Sequence, residues 1–152
     1  MRSLIFAVCA NLALLSTAAH ADQRPDGSPI SYAGEALNLS VGVPAKMTLE
    51  ISALNDETWI ASGEFDNENL VGSFKASGRE VYGCAEEHVC LQFFGVLNGL
   101  EPGGFPEGTA ATFELSLMFP PDDFGQGVYR IGALPSFDVP QFGRLLLARI
   151  PK

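Results

Sequence analysis

Within eight residues, Gly83-Cys84-Ala85-Glu86-Glu87-His88-Val89-Cys90 gathers two cysteines, two acids and a histidine. Three chemistries are open to such a cluster. Two thiolates and an imidazole are three of the four ligands that a tetrahedral zinc site needs. Neighbouring thiols can cycle through a disulfide. Two cysteines flanking a turn can also be a plain staple. A redox C-x-x-C motif has two residues between its sulfurs and this one has five, which argues against thioredoxin-like cycling. Zinc at Cys84, His88 and Cys90 lacks a fourth ligand nearby. The staple needs an oxidising compartment, so the destination of the chain decides.

The N-terminus speaks to that destination. Arg2 is the only charge before Asp22, the run from Leu4 to Leu15 is almost wholly apolar, and small residues lead to Ala19-His20-Ala21. This is the order of a secretory signal peptide, with cleavage expected after Ala21. The apolar run is short for a bilayer, which takes about twenty residues, and no segment of the mature chain approaches that length. The expected organisation is a signal peptide over 1–21, a flexible Gly- and Pro-containing lead-in over 22–34, and a single domain over 35–152. The protein is expected in the periplasm or outside the cell. Cys9 leaves with the signal, so Cys84 and Cys90 are expected to pair.

Cleavage also removes Arg2, leaving eight basic residues against eighteen acidic ones and a net charge of −10. Nucleic acid and anionic membrane surfaces are poor partners for such a surface.

The elements that position these residues read as strands. In Lys46-Met47-Thr48-Leu49-Glu50-Ile51-Ser52-Ala53 apolar and polar residues alternate, and Thr112 to Phe119 does the same. Alternation and turn signals predict about nine strands, near 35–41, 46–54, 57–65, 69–76, 79–84, 89–97, 110–119, 127–133 and 144–150, and no helix in the mature chain. The strand at 89–97 is apolar on both faces, which predicts a place at the centre of the protein. Links between 46 and 97 are short, including Ser77-Gly78, so neighbours are antiparallel. The fold class is therefore all-β, an antiparallel up-and-down meander. A closed barrel is preferred to a sandwich because closure removes exposed edges.

Strand parity then sorts the loops. One end collects Asp66, Glu68, Glu86, Glu87, His88, Asp122 and Asp123 from loops 66–68, 85–88 and 120–126. The other collects the long loops 98–109 and 134–143, with Leu100, Phe105, Phe137 and Phe142. The acids are either solvated turns or a site for a cation such as calcium, or for a basic partner. The apolar residues either cap the core or form a mouth or contact patch. If the three acidic loops do not share an end, both site hypotheses fall.

Other motifs are sparse. There is no P-loop, G-x-G-x-x-G, H-E-x-x-H or G-x-S-x-G. Asn38-Leu39-Ser40 matches the N-glycosylation sequon. The reading is an exported, soluble, non-enzymatic binding or interaction domain without a cofactor, taking an apolar ligand or a protein at the end with Phe105, Phe137 and Phe142. A structural component of an envelope or extracellular assembly is the alternative. A small hydrolase using His88 with nearby acids is the third.

Overall fold

Alternation along each strand becomes inside and outside. In β2 (Val43–Ala53) the side chains of Ala45, Met47, Leu49 and Ile51 are buried, while Pro44, Lys46, Thr48 and Glu50 are exposed. β6 (Ala110–Phe119) buries Ala111, Phe113, Leu115, Leu117 and Phe119 in the same rhythm. The structure is a computed structural model describing residues 28–67, 70–84, 87–101, 109–120, 124–132 and 140–151.

Six further strands complete the sheet: β1 (Ile30–Asn38), β3 (Trp59–Asn67), β4 (Leu70–Glu80), β5 (Val89–Glu101), β7 (Phe124–Ile131) and β8 (Gln141–Arg149). Each pairs antiparallel with its neighbour in sequence, and β8 pairs back onto β1, giving a closed up-and-down barrel. Every described strand therefore has a partner on both sides, and no edge is open.

Eight strands, not about nine, make the barrel. Ser77-Gly78 is not a turn; β4 runs straight through it, with Ser77 opposite Phe94 and Gly78 opposite Phe93. Gly78 is small for a different reason. A Cβ there would strike the Gln92 backbone oxygen and lie 2.5 Å from Cδ1 of Phe93, so the position serves close packing rather than reversal. β1 also begins earlier than expected, placing residues 30–34 of the expected lead-in within a strand.

The strand expected at the centre of the protein is a wall strand like the others. Leu91, Phe93 and Leu97 of β5 are buried, but Phe94 and Val96 are 51% and 42% exposed. Closure into a barrel gives each strand one lumenal and one outer face. An apolar residue on the second face therefore meets solvent.

The interior is filled by side chains, as eight strands allow. Phe65, Phe93, Phe113, Leu115 and Ile131 are fully buried. The rings of Phe74 and Phe113 sit 4.5 Å apart, and Tyr32 packs on Phe119 at 5.1 Å. Burying one large apolar side chain contributes roughly 1.5–3 kcal/mol, so these rings dominate stability. Glycine makes room where the core closes in on the backbone. At Gly143 a Cβ would strike the Tyr129 ring and hydroxyl.

Candidate functional site

The cysteines are joined. Cys84 lies in the connection between β4 and β5, and Cys90 is the second residue of β5, with Cα atoms 6.3 Å apart. The ladder extends one step past β4, where Val81 N–H donates to Cys90 O at 2.8 Å. The disulfide thus closes a connection already anchored by the sheet. With both sulfurs bonded to each other, neither is a thiolate for zinc. Among the described residues no three His, Cys, Asp or Glu side chains gather as a metal site. Glu87 takes a left-handed backbone (φ 64°), and its exposed side chain is displayed beside the half-buried His88.

The acidic grouping does not survive the topology. With β4 unbroken, the β3–β4 link leaves the barrel at the opposite end from the β4–β5 and β6–β7 links. Asp66, near the end of β3, is therefore remote from Glu87 and His88. The extra turn expected at Ser77-Gly78 had reversed every loop before it, 66–68 among them, relative to the loops after it. Glu68, Glu86, Asp122 and Asp123 lie outside the described residues.

The long β5–β6 and β7–β8 links do leave from one end, together with the β1–β2 and β3–β4 links. Phe142 stands at that rim, in β8, 52% exposed on the outer face. The backbone of Leu100 belongs to β5. Phe105 and Phe137 lie outside the described residues.

Just inside this end sit buried amides. Asn38 Nδ2 donates to Gln141 Oε1 at 3.0 Å, and Asn38 Oδ1 accepts Ser40 N–H at 2.9 Å, shaping the β1–β2 turn. The nitrogen that would carry a sugar in the sequon is therefore buried and engaged. Deeper in, the Tyr129 hydroxyl is buried without a partner among the described residues, as is Trp59 Nε1 at the other end of the core. Burial pushes the Tyr129 phenol up to about 12. It stays neutral at physiological pH and acts as core, its ring meeting that of Phe65 edge to face across the lumen.

Concavity with described lining is found on the outside wall. A groove of about 730 Å³ runs over β8, β1 and β2, lined by Glu35, Leu37, Pro44, Lys46, Arg144 and Leu146 among others. A second, of about 560 Å³, is bounded by the disulfide, Met118, Gln126, Val128 and Arg144. A third, of about 360 Å³, reaches Phe142 and Leu39. Arg144 lines all three. Its cross-strand neighbours are Val128 on β7 and Leu37 on β1. Beside it, Arg130 pairs with Glu114 at 3.2 Å, and Phe94 and Phe142 flank that ion pair across the sheet.

Sequence reasoning placed the candidate sites at the loop ends and missed this wall. The signal was present in Leu145-Leu146-Leu147, where alternation breaks and the middle leucine has nowhere inside to go. Leu146 is 60% exposed. No protein-family model, curated protein or solved structure matches the chain.

Proposed function

We propose that the protein is an exported, soluble, non-enzymatic interaction domain that engages another protein through the outer wall of its barrel. One observation carries the reading. The lumen is occupied by the protein's own aromatic side chains, while Val128, Phe142 and Leu146 stand together, each more than half exposed, along a grooved wall. An enclosed pocket buries most of a small ligand. Shallow grooves on a convex wall suit a second protein better, because its surface supplies the missing cover.

Export is supported by the N-terminal pattern and agrees with the Cys84–Cys90 bond. Solubility is supported by the outward charges. Glu35, Lys46, Glu50, Glu64 and Lys75 project outward from β1–β4, where a membrane barrel would present an apolar band to lipid. A structural role in an assembly is the second reading, and it draws on the same filled core. Sheet closure disfavours its expected route, because it leaves no described edge strand for self-pairing.

The test is native mass spectrometry of the protein isolated from its own source. The wild type should carry a second polypeptide that Leu146→Asp loses. A bare monomer, or a small molecule retained by both forms, would contradict the reading.

A further inference from the structure

The outer faces of the barrel are unequal in charge. On β1, β2 and β3 the outward positions include Glu35, Glu50, Glu64 and Asp66 against a single Lys46. On β7 and β8 they are Phe124, Gln126, Val128 and Arg130, then Phe142, Arg144, Leu146 and Ala148. No acid appears among those eight, although the chain has eighteen acids to nine basic residues. Arg130 is already committed to Glu114. Arg144 is not: among the described residues it makes no ion pair, and both residues beside it in the ladder are apolar. Two acids line a groove with it, Glu35 and Asp66, and both stand directly opposite Lys46 in the ladder.

Spacing adds a second constraint. Phe142, Arg144 and Leu146 occupy alternate positions of one strand, so they stand about 6.8 Å apart in a row. An extended segment lying along β8 presents its own side chains at the same interval. Apolar, acidic and apolar residues at alternate positions would place a carboxylate on the guanidinium between two apolar contacts. A guanidinium in such a setting binds a carboxylate in a charge-assisted, two-pronged manner.

Resting on the wall reading above, we propose that β7 and β8 dock an extended acidic-apolar segment of another protein, with Arg144 receiving its carboxylate. The protein's own acidic surface would turn such a segment away elsewhere, so this wall supplies specificity as well as contact.

Amide-resolved NMR of the full chain tests it. The probes are a peptide in which leucine, glutamate and leucine alternate with serine, and counterparts carrying glutamine or lysine in place of the glutamate. The glutamate peptide should shift Val128, Phe142, Arg144 and Leu146 and bind about tenfold more tightly than the glutamine peptide. Arg144→Gln, an exposed change that leaves the core signals in place, should erase that tenfold difference. Equal binding of all three peptides on the wall would overturn the charge assignment and leave the wall reading standing. No shift on the wall with any peptide would overturn both. Concentration-dependent dimerisation in sedimentation, abolished by Arg144→Glu, would make a second copy the occupant and overturn the proposal.

Discussion

The ring of Phe65 on β3 meets the ring of Tyr129 on β7 edge to face, with centroids 5.1 Å apart. These strands stand on opposite sides of the barrel, so the contact spans the lumen. A barrel whose walls touch through their side chains has no central ligand chamber at that level. Phe65→Ala should therefore leave a cavity and lower unfolding stability by about 3–5 kcal/mol. Chemical denaturation measures this, and a loss below about 1 kcal/mol would mean that the ring is not packed as described.

Tyr129 makes the second prediction. Its hydroxyl is buried without a partner among the described residues, and burial pushes the phenol up from 10 to about 12. Between those values the unfolded chain has released this proton and the folded chain still holds it. Stability from this group is complete below about pH 10 and is lost as pH rises towards 12. Tyr129→Phe should leave stability at pH 7 unchanged or raised, because an unsatisfied polar atom is removed. It should also flatten the alkaline loss, as read from melting temperature against pH.

The continuity of β4 is testable at Gly78. A methyl group there would press on the Gln92 carbonyl oxygen and on Phe93, so Gly78→Ala should destabilise by about 1–3 kcal/mol. At the tip of an exposed turn, the same change would have little effect.

For the disulfide, the expected contribution is about 2 kcal/mol, because the ring it closes is small. Cys84→Ser should lower the melting temperature, and a reductant should lower that of the wild type equally. A reductant effect that persists in Cys84→Ser would show that the bond is not its source.

Most of the architecture was legible because period-two alternation is a direct imprint of a two-sided sheet. Met47, Leu49 and Ile51 face inward as their pattern implies, and Cys84 pairs with Cys90. Two features were not legible. Ser77-Gly78 carries turn chemistry, yet Gly78 is small to admit Phe93, and a sequence does not distinguish a reversal from a close approach. That single residue pair changed the strand count and sent Asp66 to the wrong end. The second feature is the outer face. The strand at 89–97 reads as central because both its faces are apolar, but only closure of the sheet reveals that Phe94 points to solvent.

The central claim is that binding belongs to the outer wall and not to the lumen. Anilinonaphthalene sulfonate, an apolar anion, suits both the exposed leucine and phenylalanine side chains and Arg144. Titrated into the labelled protein, it should shift the amides of Val128, Phe142, Arg144 and Leu146 while those of Phe65, Leu97 and Tyr129 hold still. Shifts confined to Phe65, Leu97 and Tyr129 would place the ligand inside the barrel and contradict the account.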